Sequence, residues 1–157
     1  MIGMDILQPV VALMIWTMFV WLLMYIRRIP AMQKSPDLDV KHLHGGTTGA
    51  LDGVLPERDQ WPAHNYNHLL EQPTVFYAAA IVLAILGAGD GVTALLAWIY
   101  MGLRVIHTIV QVTANRVIVR FVLFAISSVV LMALIGIAAA TVFGGGTGGG
   151  EALLQTV

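Results

Sequence analysis

The stretch WIYMGLRVIHTIVQ, residues 98–111, decides how the chain is read. Apolar side chains fill it, yet it carries Arg104 and, three residues on, His107. A helix advances about 100° per residue, so Tyr100, Arg104, His107 and Gln111, spaced four, three and four apart, fall on one polar stripe. The other faces are Leu, Ile, Val, Ala and Met. Such a segment is expected to turn its stripe toward other helices and its remaining surface toward lipid.

The rest of the chain agrees with a bilayer. Of 157 residues, 58% are hydrophobic and only 11% charged, and the mean hydropathy is +0.82, far from the composition of soluble domains. Crossing a hydrocarbon core of about 30 Å takes roughly 20 mostly apolar helical residues. Stretches near 5–26, 66–87, 92–113 and 117–143 meet that length. An all-α integral membrane four-helix bundle over 1–143 is therefore expected, followed by a glycine-rich tail over 144–157 with no assigned chemistry. The first stretch reads as a retained anchor rather than a cleaved signal, because no basic residues precede it and Arg27 and Arg28 follow it.

Basic residues outside the span centres are Arg27, Arg28, Lys34, Lys41, Arg58, Arg116 and Arg120, all on the side shared by the first and third loops. The opposite side, with the GAGDG turn of 87–91, has none. The positive-inside rule then puts the basic loops in the cytoplasm and both termini outside. Net charge is −1, which gives no basic excess for a nucleic-acid partner. Without cysteine, disulfides, thiolate metal sites and cysteine nucleophiles are excluded, and any thiol must come with a ligand. The polar stretch 27–62 carries four prolines and the run HGGTTGALDG, and is expected to be irregular. His42 and His44 within it lack the carboxylate or cysteine spacing of a metal centre and read as loop histidines, so no metal is assigned.

A second polar row lies in AHNYNHLLEQP, residues 63–73, where His64, Asn67, His68 and Glu71 share a helical face. The short GAGDG turn makes this helix the antiparallel neighbour of the one bearing Arg104. Counting about 1.5 Å per residue from Thr113, Arg104 lies ~13 Å in from the basic end, near mid-bilayer. A cation there costs about 3 kcal/mol on insertion scales, so a partner is required, and Glu71 is the expected one. Pro73 withholds a hydrogen bond from the carbonyl of Leu69 and should bend the helix beside Glu71. Two facing polar rows in one half of the membrane define a hydrated pocket, although a Glu71–Arg104 pair that only fixes helix register is the plainer alternative. Arg116 and Arg120 in TANRVIVRF stand over the pocket mouth, either anchoring the interface or binding an anionic ligand.

The motifs NHLLEQPTVFY, WIYMGLRVIH and NRVIVR together resemble the MAPEG family, the membrane-associated proteins of eicosanoid and glutathione metabolism, and look most like its bacterial members. The resemblance covers about residues 5–140. It implies a homotrimer of four-helix subunits in the bacterial inner membrane, with glutathione bound between subunits in the cytoplasmic half. By position, Asn67 and Glu71 match the family's polar pair on the second helix, where the eicosanoid enzymes usually put Glu one residue closer to Asn. Arg104 and His107 match its Arg-x-x-His. Arg120 matches the arginine that faces the glutathione thiol. In that reading Arg120 is catalytic, and Asn67, Glu71, Arg104, His107, Gln111 and Arg116 bind the cofactor. Three positions depart from the pattern. Gln111 stands where several family enzymes have tyrosine, Phe124 where an aromatic hydroxyl is expected, and Phe121 where the prostaglandin synthase has serine. Two functions follow from the resemblance. One is a glutathione-dependent transferase or peroxidase acting on lipophilic electrophiles. The other is a non-enzymatic lipid-binding or scaffold protein of the same fold. A channel or proton-translocating protein using Glu71 and His107 is a third possibility, from the residues alone.

Overall fold

The computed structural model describes residues 2–35, 38 and 51–144. His42, His44, Lys41 and the tail beyond Gly144 lie outside the described residues. The fold is α1 (Leu7–Lys34), α2 (Glu57–Leu70), α3 (Gln72–Ile85), α4 (Val92–Thr113) and α5 (Val117–Gly144), with no strand among the described residues. Taken with the α2–α3 pair as one path, four helical stretches of 28, 29, 22 and 28 residues are long and apolar enough to cross a membrane. Their outer faces carry the expected lipid-facing side chains, such as Val11, Met14, Ile15 and Met18 on α1 and Val129 and Met132 on α5, all exposed.

The two described ends of the stretch 27–62 differ from the irregular loop expected of it. Helix α1 continues through Arg27, Arg28 and Pro30 to Lys34, and α2 begins at Glu57 with Pro62 in its interior. A basic pair and a proline stop a hydrophobic count without stopping a helix, since lysine and arginine are good helix formers and Pro30 lies inside α1. Arg27 on α1 reaches Asp59 on α2 at 3.9 Å, one reason why the extensions stay together at the basic end.

The second span is broken. Glu71 has φ −84° and ψ −96°, which ends α2, and α3 restarts at Gln72 with Pro73 in its first turn, the position where a missing N–H costs least. The Glu71 carbonyl accepts from Thr74 N at 3.2 Å and from Thr74 Oγ1 at 2.6 Å, so the interruption satisfies its own backbone.

At the far end the chain is strapped shut. Gly3 N donates to the Ala84 carbonyl at 3.0 Å, Ile6 N donates to the Gly89 carbonyl at 2.9 Å, and Asp5 N donates to Asp90 Oδ1 at 3.1 Å. Gly3 and Gly89 touch backbone to backbone, and a Cβ on Gly89 would sit 2.7 Å from Ile6 Cγ2 as well as against the Gly3 carbonyl. Gly89→Ala should therefore destabilise the bundle by about 1–3 kcal/mol, as overpacking does. A lower melting temperature in detergent is the expected result, and an unchanged one would mean that the strap adds nothing.

Candidate functional site

Arg104 is 1% exposed, and its partners are neutral. Its Nε donates to the Tyr100 hydroxyl at 3.1 Å and its Nη2 donates to Gln72 Oε1. The guanidinium carbon also lies 5.3 Å from the Tyr100 ring centre and 5.2 Å from that of Phe124, within cation–π range. Gln72 in turn donates from Nε2 to Ser128 Oγ at 2.7 Å, so one amide ties α3, α4 and α5 together. Tyr100 is stacked on buried Phe76, centroids 4.4 Å apart.

Glu71 is not the partner of Arg104. Its carboxylate is on the exposed side of the kink and meets His68 Nδ1 at 3.1 Å, with 64% of the side chain exposed. The physical reason is the ψ of −96° at Glu71. Past it the helix restarts with a different rotation, and Gln72, one residue on, enters the bundle instead.

The two polar rows meet again nearer the basic end. Buried Gln111 accepts from Asn65 Nδ2 at 2.8 Å, so Gln111 is held inside the bundle by Asn65, with Asn67 two residues further along α2 only partly buried. The rings of His68 and His107 approach edge to face at 6.2 Å. Beside them opens a cleft of about 250 Å³ lined by His68, His107, Val117, Arg120, Phe121 and Phe124. Of the residues singled out from the sequence, His107 and Arg120 line this cleft. Asn67, Glu71, Arg104, Gln111 and Arg116 do not line it within one chain.

Arg120 is set by the turn before α5. Asn115 takes φ +48°, a left-handed conformation that asparagine tolerates better than most residues. Ala114 N and Asn115 N both donate to the Val110 carbonyl, at 3.0 and 2.7 Å, closing α4. The Asn115 side chain then accepts from Arg120 Nη1 at 2.7 Å. Arg120 Nε is buried and has no hydrogen-bond partner. Arg120 thus lines a mostly apolar cleft with one buried N–H left unpaired among the described residues.

Sequence reasoning passed over Gln72, Asn65 and Asn115, and placed His68 in the polar row of the pocket without assigning it a ligand contact. Asn115 carried a readable sign, an asparagine just past a helix C-terminus. For Gln72 no sign existed, because its inward position depends on the break before it.

A family model described as the MAPEG family matches residues 6–140. The chain belongs to this family. Membership suggests a membrane protein of eicosanoid and glutathione metabolism, and the cleft lies within the matched region. Among curated proteins nothing matches, and among solved structures nothing matches.

The Arg104 contacts yield a test. Gln72→Leu removes the charged group's amide partner and the bridge to Ser128, and should cost about 2–3 kcal/mol of stability, in the range for a hydrogen bond to a charged group and for leaving one unmade. Tyr100→Phe, which removes one hydroxyl and keeps the ring, should cost about 1 kcal/mol. Glu71→Gln should leave the melting temperature close to that of the wild type. The reverse ranking, with Glu71→Gln the most damaging, would restore Glu71 as the partner of Arg104.

Proposed function

We propose that the chain is a membrane-bound, glutathione-dependent transferase or peroxidase acting on lipophilic electrophiles, assembled as a homotrimer. One observation carries this reading: Arg120, whose Nε–H is buried and unpaired among the described residues, lines a cleft whose other walls include Phe121, Phe124 and Val117. A cation held without a counter-ion beside apolar walls favours the thiolate of a bound thiol over its neutral form. Apolar walls at the same place would seat a lipophilic partner delivered from the bilayer. The reaction then needs approximation and thiolate stabilisation, with no covalent enzyme intermediate.

In this reading Arg120 is the catalytic residue, and His107 and Arg116 supply the polar and cationic side of the glutathione site. Asn67 on α2 and Glu71 at the kink complete it in the trimer, Glu71 through its contact with His68. Arg104 and Gln111 act from behind, holding α3, α4 and α2 in register, since both are about 1% exposed and engaged inside the bundle. Glutathione is the implied cofactor.

A second reading has its own observation. Phe121 and Phe124 replace hydroxyl residues at the cleft, and Gln111 is taken up by Asn65. That set also suits a lipid-binding or scaffold protein that no longer performs thiol chemistry. Calorimetric titration of the detergent-purified oligomer separates the two. The enzyme reading expects saturable glutathione binding at millimolar concentration, with kcat/KM falling roughly 10²–10³-fold in Arg120→Ala, the usual loss when one charge-stabilising donor is removed. No binding, with a lipid retained in the cleft, would favour the scaffold.

The basic end, where the cleft lies, is proposed to face the cytoplasm of a bacterial inner membrane, with both termini outside. The chain has no cysteine, so single-cysteine variants report cleanly. In intact cells Asp90→Cys should react with a membrane-impermeant maleimide, and Arg58→Cys should react only after permeabilisation. The opposite pattern would invert the topology.

A further inference from the structure

Thiolate stabilisation leaves a proton to be placed, and an arginine does not accept it. The hydroxyl-bearing residues that would otherwise stand near the thiol are Phe121, Phe124 and Gln111 in this chain, and none of these is a proton acceptor in the cleft. Two groups lining the cleft can take a proton, His68 and His107, and they are placed differently. His107 is 5% exposed and contacts no carboxylate within hydrogen-bond range among the described residues. His68 is 39% exposed at its side chain, and its Nδ1 lies 3.1 Å from Oε2 of Glu71, whose own side chain is 64% exposed.

We propose that His68, oriented by Glu71, accepts the proton of the thiol bound in the cleft. The inference rests on the glutathione reading above and adds its missing acid–base partner. With Nδ1–H donated to the Glu71 carboxylate, Nε2 is left as the acceptor. The carboxylate fixes the tautomer and stabilises the imidazolium once the proton arrives, the logic of a base held by a third group. The charged and titratable groups beside His68 are Glu71, at 3.1 Å, and, lining the same cleft, His107 on α4 and Arg120 on α5. The Glu71 carboxylate supplies the opposite charge once the ring has taken the proton.

The step balances. The S–H bond breaks and its proton goes to His68 Nε2. The sulfur electron pair forms a C–S bond with the electrophile, and the C–X bond breaks with its electrons leaving on X. The proton then passes from His68 to bulk water at the exposed Glu71 side, so thiol and electrophile give thioether, leaving anion and one released proton. His68 is thereby catalytic and Glu71 a positioning residue.

Stopped-flow measurement of thiolate absorbance on mixing the purified oligomer with glutathione tests this, alongside equilibrium binding. His68→Gln should slow thiolate formation roughly a hundredfold, the lower end for loss of a general base, while glutathione affinity stays within about twofold of wild type, since general-base loss need not alter ground-state binding. Raising the pH should restore much of the rate, because hydroxide then replaces the imidazole. Glu71→Gln, at an exposed position that folding tolerates, should slow the same step roughly tenfold by loosening the ring. Wild-type protein that binds no glutathione would remove the glutathione reading and this inference together. Binding and thiolate formation that are normal in wild type and unchanged in both variants would remove His68 alone. A loss of affinity with no change in the rate of thiolate formation would make His68 a binding residue and overturn the proposal.

Discussion

A guanidinium placed near the middle of four apolar helices has to be satisfied from within the protein, and the rest of the bundle is arranged around that need. Insertion of a cation at that depth costs about 3 kcal/mol, and each hydrogen bond it makes to a neutral acceptor returns about 1.5–3 kcal/mol. Arg104 makes two, to Tyr100 and Gln72, and lies against two aromatic rings. The sums are of the same size, so the charge is tolerated without a carboxylate. What the arrangement gains is register. Gln72 reaches Ser128 as well as Arg104, and three helices cannot slide past one another without breaking that amide's contacts.

Keeping the counter-charge out of the core changes what the remaining carboxylate can do. Had Glu71 paired with Arg104, it would have been desolvated and fixed. Instead it sits at the break between α2 and α3, in contact with His68 and with solvent. The helix interruption therefore sorts two adjacent side chains into different environments, the amide into the interior and the carboxylate to the rim. Pro73 makes the interruption cheap, because it cannot donate to the preceding turn in any case.

Much of this was legible in the sequence, and the limits have a physical cause. Four spans and the polar stripe on α4 were readable because lipid leaves few ways to bury a backbone or a charge. Arg104 and His107 were recognisable for the same reason, and the bend was readable from Pro73. The partner of Arg104 was not. Choosing between Glu71 and Gln72 requires the backbone angles at Glu71, since the face of a helix rotates by about 100° for each residue and a break adds a further turn. The extension of α1 to Lys34 was hidden too, because charge marks where a helix leaves lipid and not where it ends. Asn65 rather than Asn67 meets Gln111, a difference of two residues that the spacing of polar side chains on α2 left open.

The same geometry bears on the phenylalanines at the cleft. Phe124 has two neighbours to serve, since its ring lies 5.2 Å from the Arg104 guanidinium while its edge lines the cleft next to Arg120. A tyrosine there would bring a hydroxyl, and with it water, to the boundary between the buried cation and the ligand space. A phenylalanine brings no such group. Charge interactions strengthen as water is excluded, so in the thiol-binding reading proposed above, apolar walls beside Arg120 would strengthen its pull on a bound anion. In that reading the aromatic rings would exchange a hydrogen-bond donor at the thiol for a stronger field from the arginine. In the same reading the demand for a separate proton acceptor follows, because Phe121 and Phe124 bring no hydroxyl to the cleft wall.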